Sequence, residues 1–296
     1  MWSISPERFD KAPGTDFTGT LELGIAVSGG RSVATKQYHD GALKIIRPHY
    51  LDDSGQVYYI TVNPGGGYVG GDSYDIGVSV ADGASVLLTD QSATKVYRTP
   101  GSHVTQHLHF KVGAGAVLEY IPDQLILYRD ADYRQHMTVE VDPEGHVFLS
   151  DIVTPGWSPD KAMFRYRQAH LRSTVRVGDK LALVDNMRIQ PLEEREEIAS
   201  PTFLGENTHF STVICFDPQV DEDLIAQVRD VISDVEAVQA SVTPTDVPGF
   251  VLRGVANRTE HLMEVVLRAA NVVRSELRSQ GKVHLRQYSN QYERQV

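Results

Sequence analysis

A glycine-rich turn that runs straight into strict apolar alternation constrains this chain more than any other feature. Residues 63–98 read NPGGGYVGGDSYDIGVSVADGASVLLTDQSATKVYR, with five glycines between Gly65 and Gly71. Gly65-Gly66-Gly67-Tyr68-Val69-Gly70 satisfies the G-x-G-x-x-G pattern of a dinucleotide loop. That loop works only where a helix opens on its last glycine, because the helix N-terminus carries the anion-binding dipole. Here Tyr74, Ile76, Val78 and Val80 come after Asp72 at every second position. Period 2 is a half-buried strand. The Lys-Ser/Thr pair of a P-loop is also missing. The glycines therefore read as a turn between strands, and nucleotide binding drops out. Asp72, at the end of the turn, either caps turn amides or projects into a polar channel, and the cap is the commoner use.

The same period recurs over two thirds of the chain. Short strands are expected at 21–27, 43–46, 58–62, 74–80, 86–89, 106–112, 117–121, 138–141, 147–152, 165–177 and 180–190, with glycine-bearing turns such as Asp82-Gly83 and Gly178-Asp179 between them. Many short strands at this spacing predict a mainly β fold of stacked sheets, a sandwich or solenoid. Near residue 217 the spacing becomes helical. Leu224, Ile225, Val228, Ile232 and Val235 predict a helix near 219–238. Pro244 and Pro248 mark a connector, and 250–255 a further strand. Leu262, Val265, Val266, Ala269, Val273 and Leu277 predict a helix near 258–280, with Asn257 and Glu260 as a capping box and Gly281 as its stop. Two helices are too few for a second domain. Residues 1–296 read as one domain with both helices packed on the sheets.

Composition excludes several functions. Acidic residues outnumber basic ones, 39 to 28, for a net charge of −11, which disfavours nucleic-acid binding. Cys215 is the one cysteine, in an apolar strand, so no internal disulfide is possible, no cysteine-based zinc site is spelled out, and a buried inert thiol is expected. No apolar run approaches the roughly 18 residues of a membrane span, and no secretory leader is apparent, so a cytoplasmic protein is expected.

The candidate site residues have two readings each. Asp72, Thr89 and Ser92 are carboxylate and hydroxyl groups at strand ends, the kind that hold a cation weakly; Lys95, Tyr97 and Arg98 suit structural or interface roles, with Arg98 able to pair with Asp72 or Asp90. All six equally suit a hydrogen-bonded network at strand ends. His103, His107 and His109 form the one histidine cluster. On a strand, His107 and His109 share a face. They are a possible transient metal pair, together with Asp72, or else a solvated strand face. The run 193–197, EEREE, reads as a solvated loop or a docking patch, and the tail from 288 as polar.

One ordered set of residues resembles a known family. Asn63, the glycines, Gly70-Gly71-Asp72, then Thr89-x-Gln91-x-Ala93-x-Lys95-Val96-Tyr97-Arg98, then Leu118-Glu119-Tyr120-Ile121-Pro122-x-x-x-Ile126 resemble the urease accessory protein UreD, also called UreH. Residues 38–47 upstream, Leu252-Arg253, and the last helix with Arg274 extend the similarity over about 18–288. The resemblance implies a non-enzymatic maturation chaperone, mostly β with two helices. Its implied partners are apo-urease and UreF, with the UreG GTPase recruited through UreF. It implies no permanently bound cofactor, only Ni²⁺ in transit along an interior polar path walled by Asp72, Thr89 and Ser92. Arg253 and Arg274 match its C-terminal element as structural or interface residues. The chain departs from the family after Pro155-Gly156, where Trp157, Lys161 and Ala162 replace an arginine and a Gly-Glu pair. Asp160 is the nearest carboxylate to the missing one.

Two other classes compete. An all-β hydrolase would draw a carboxylate pair from Asp72, Asp90, Glu119 and Asp123. Only two tryptophans, Trp2 and Trp157, are present for sugar platforms, and there is no Gly-x-Ser-x-Gly elbow. A plain protein-binding β domain would need no channel.

Overall fold

The computed structural model describes residues 17–191, 198, 200, 203–283 and 285. The acidic run 193–197 and the tail from 288 lie outside them. Two sheets stack face to face. The first has seven strands: β1 (Gly19–Ser28), β2 (Arg31–Gly41), β5 (Ser73–Val80), β8 (Val104–Val112), β11 (Asp132–Val141), β13 (Gln168–Val177) and β14 (Lys180–Ile189). The second has ten: β3 (Lys44–Ile45), β4 (Val57–Val62), β6 (Ser85–Asp90), β7 (Thr94–Val96), β9 (Val117–Tyr120), β10 (Leu125–Leu127), β12 (His146–Val153), β15 (His209–Phe216), β16 (Val238–Pro244) and β17 (Gly249–Ala256). Two helices, α1 (Glu222–Ser233) and α2 (Thr259–Arg278), lie on the second sheet.

The winding explains the many short strands. From β4 to β13 the chain passes back and forth between the sheets, so β1, β5, β8, β11 and β13 are parallel neighbours, as are β4, β6, β9 and β12. Parallel strands need a crossover, and here the crossover is a strand of the other sheet rather than a helix. The result is solenoid-like, with antiparallel strands β2 and β14 closing the seven-stranded sheet.

Period 2 sorts side chains onto two cores. Between the sheets lie Ile76, Val78, Leu88, Leu118, Tyr120, Tyr133, Val139 and Leu149. Between the ten-stranded sheet and the helices lie Leu87, Ile121, Phe148, Val213 and Leu252, with Leu224, Val228, Leu262, Val266 and Val273 from the helices. Burying a leucine- or valine-sized side chain contributes about 1.5–3 kcal/mol, so both layers are strongly held.

Some expected elements differ. β2 and β16 are edge strands with mostly exposed residues, so their apolar alternation is weak, and β16 occupies part of the expected connector. β7 and β10 have three residues each, too short for a period to emerge. β11 starts at Asp132, six residues before its expected start. The capping box at Asn257 does not form. Arg258 is the N-cap of α2 without a side-chain cap, and the Asn257 side-chain carbonyl instead accepts from the Thr208 hydroxyl at 3.2 Å. The stop is Ser279 in the left-handed region at φ 49°, not Gly281, whose N–H donates to Asp52 at 3.2 Å.

Candidate functional site

The glycine turn is a packing device. A Cβ on Gly67 would lie 2.7 Å from the Tyr97 ring and 2.8 Å from the Lys95 carbonyl, and Gly71 sits at φ 91°, where only glycine is at ease. Asp72 ties the turn: its carboxylate accepts from the Val69 N–H at 2.8 Å and the Tyr74 hydroxyl at 2.9 Å. Its geometry is that of a turn cap.

Strand parity separates the other candidates. In β6, Val86 and Leu88 face the inter-sheet core and Leu87 faces the helices. Thr89 therefore shares the helix-facing side, is 1% exposed, and donates to the Ile121 carbonyl at 2.5 Å. Its neighbour Asp90 takes the inward side, where the Thr61 hydroxyl donates to it. Burial, and secondarily the Asp123 charge, push the Asp90 carboxyl up to about 7 against the Thr61 hydrogen bond. Asp90 and Ser92 border a cavity of about 40 Å³ that Asn63, Gly67, Tyr68 and Lys95 also line. Ser92 and Lys95 thus line this cavity, while Asp72 and Thr89 line neither it nor the smaller cavity beside Asp151.

A second inward carboxylate lies on β12. In β12, Val147, Leu149 and Val153 face inward, so Asp151 does too. Burial lifts it to about 7, the Gln135 hydrogen bond opposes that, and the Asp185 and Asp90 charges add to it. Gln135 Nε2 donates to Asp151 at 3.3 Å, and the Tyr133 hydroxyl bonds Gln135 at 2.9 Å and Gln106 at 3.1 Å. Asp90 and Asp151 both push up the buried phenols of Tyr120 and Tyr133, after burial itself. Hydrogen bonds thus join Gln106, Tyr133, Gln135 and Asp151, and Asp90 and Tyr120 couple to this group through charge, a polar seam in an otherwise apolar core. At its far end Asp151, Asp185, Ser173 and Thr212 line a cavity of about 10 Å³, the size of one water.

The seam was largely missed by sequence reasoning. Its signal is a charged or amide residue at an inward position of an otherwise apolar strand, as Asp151 interrupts Val147-x-Leu149-x-Asp151-x-Val153.

The remaining candidates sit elsewhere. Arg98 pairs with neither Asp72 nor Asp90; on the exposed side it meets Asp130 at 3.1 Å. The Tyr97 hydroxyl donates to the Gly66 carbonyl at 3.4 Å. His107 and His109 do share a face, their rings parallel with centroids 6.2 Å apart, on the outer side of the seven-stranded sheet. His109 leans 3.4 Å from Asp75, whose hydrogen bond raises its pKa. Asp72 bonds within its own turn and joins neither ring. Among the described residues, no group of three or more His, Cys, Asp or Glu side chains is arranged to hold a metal ion. Asp160 organises a surface turn, accepting from the Ser158 hydroxyl at 2.5 Å and the Ala162 N–H at 3.1 Å, so it does not replace an interior carboxylate. Cys215 is buried, and burial pushes its thiol well up. Of the carboxylates an all-β hydrolase would pair, Glu119 faces the helices and Asp90 faces the other sheet, so these two do not meet. No helix among the described residues is long and apolar enough to cross a membrane.

Arg253 and Arg274 are both placed structurally. Arg253 Nη2 lies 2.6 Å from Asp185, joining β17 to β14 across the two sheets. Arg274 is buried against Glu119.

A family model described as UreD urease accessory protein matches residues 17–287. The urease accessory protein UreD of Paenarthrobacter aurescens (strain TC1) is 41% identical over 277 residues, 91% of this chain and 95% of that protein. That of Arthrobacter sp. (strain FB24) is 43% identical over 277 residues, covering 91% and 94%. That of Bacillus cereus (strain ATCC 10987 / NRS 248) is 34% identical over 271 residues, covering 92% and 98%.

Proposed function

The chain belongs to the UreD family of urease accessory proteins, and from that premise we propose that it matures urease as a non-enzymatic cytoplasmic scaffold that also conducts nickel. In this reading it binds apo-urease and UreF, gathers the UreG GTPase through UreF, and passes Ni²⁺ between its sheets toward the urease active site. Nickel is cargo and is not retained.

The polar seam is the observation that carries the reading. An ion in transit needs oxygen ligands that hold weakly, since a complete cage would trap it. Asp90 and Asp151 are spaced carboxylates, each titrating near 7, with hydroxyls and amides between them. Each is able to exchange a proton for a cation near neutral pH. The route is thus carried by Asp90 and Asp151, with Ser92 at the cavity that Asp90 borders, in place of Asp72 and Thr89.

The test is co-expression with the urease subunits and the other accessory proteins. Without this chain, urease activity and nickel content should both collapse. Asp90→Asn and Asp151→Asn should leave complex assembly intact while urease nickel falls. Full nickel loading by both variants would reduce the protein to a scaffold. Full maturation in its absence would remove the role altogether.

A further inference from the structure

Two inward rows face each other at the far end of the seam. Across the ten-stranded sheet, register aligns Asp151, Thr212 and Arg253. Across the seven-stranded sheet it aligns Met137, Ser173 and Asp185. Asp151, Thr212, Met137, Ser173 and Asp185 wall the small cavity. Arg253 stands outside that wall and bonds two of its members, Asp185 at 2.6 Å and the Thr212 hydroxyl at 3.2 Å. Its side chain is 44% exposed and that of Asp185 17%, so the guanidinium caps the cavity from the solvent side.

We propose that the Arg253–Asp185 ion pair gates this mouth: Arg253 is a tethered cation that occupies the carboxylate exit when no metal ion is there and swings into solvent when a divalent cation takes its place. The inference rests on the reading of the seam as an ion path. The physical argument is charge balance. Two carboxylates, Asp151 and Asp185, face a narrow cavity and repel one another, and one cation relieves them. The guanidinium supplies that charge without entering. A divalent ion supplies more, and the Arg253 side chain, 44% exposed, has solvent beside it to move into. The pair also discriminates by charge: a monovalent ion gains nothing over the resident guanidinium.

The experiment is equilibrium dialysis of the full-length chain against NiCl₂, with KCl and MgCl₂ controls. It compares the wild type, Arg253→Ala, Arg253→Lys, and Arg253→Ala combined with Asp151→Asn. Removing the tethered cation should tighten Ni²⁺ binding about tenfold or more. Arg253→Lys should stay near the wild type, and Asp151→Asn should cancel the gain, which excludes binding at the outer-face histidines. A pair that only ties the sheets together would lower the melting temperature of Arg253→Ala and leave Ni²⁺ affinity unchanged; that result overturns the gate. Loss of the nickel-conduction reading looks different: urease would load fully with Asp151→Asn whatever Arg253 does.

Discussion

Arg274, in the second half of α2, is buried against Glu119 of β9, with both side chains 1% exposed and the two residues 155 positions apart in the chain. Around the pair, Arg274 also donates to the Gln56 side-chain carbonyl at 2.8 Å and to the Gly281 carbonyl at 2.8 Å. The arginine thus fixes the last helix to the centre of the ten-stranded sheet. A charge left alone at such depth is strongly disfavoured. Arg274→Ala and Glu119→Ala should each lower unfolding free energy by about 3–5 kcal/mol. The double variant should lose less than the sum of the two, as urea denaturation of all three would show.

The seam carboxylates should behave in the opposite way. The folded pKa of Asp90 and Asp151 is about 7, above the ordinary 3.8. Between those values the folded protein holds protons that the unfolded chain releases, so stability falls as pH rises through this window. Asp90→Asn or Asp151→Asn should therefore stabilise the protein at pH 8, by roughly 1–3 kcal/mol, with the gain vanishing below about pH 4. Greater stability with poorer nickel transfer would mark residues kept for function. Melting curves at pH 4, 6 and 8 would decide it.

Asp217 has the reverse sign. Burial raises its pKa, but the His146 hydrogen bond, the Gln219 N–H and the Arg278 charge outweigh that, so the net shift is downward. Its contribution is present above the unfolded value of 3.8 and is lost as pH falls through the folded one. Asp217→Asn should cost about 2–3 kcal/mol at pH 7 and progressively less below pH 4, read from the same melting series.

Thr89 and Asp72 separate the structural reading from the transport reading. Thr89→Val removes one buried hydrogen bond of nearly the same shape and should cost about 1 kcal/mol. Asp72→Ala frees the Val69 N–H and the Tyr74 hydroxyl and should cost about 1–2 kcal/mol. Neither should lower urease nickel content where the complex still assembles, whereas Asp151→Asn should. A loss of nickel at Thr89→Val with normal stability would return that residue to the route.

How much of this was legible depended on periodicity. The strand over 74–80 and the helix over 258–280 stood out because each holds one buried face along its whole length. β2 and β16 did not, since an edge strand exposes most of its residues and needs no apolar alternation. The glycine turn was readable as a turn because strict alternation, not helical spacing, begins directly after Asp72. Asp72 as its cap was one of two readings, and the hydrogen bonds selected it.

The sequence by itself determined the mainly β character and most of the long strands, the two helices, the family and the two-sided sorting of side chains within each strand. It left open which side faced which layer, because period 2 distinguishes two faces without saying what covers them. Only the stacking decided that Thr89 turns to the helices and Asp90 to the opposite sheet. Likewise, Asp151, Asp185 and Arg253 lie on three strands far apart in the chain, and register across both sheets was needed to bring them to one mouth. Such pairings depend on long-range strand alignment, which no local pattern of residues encodes.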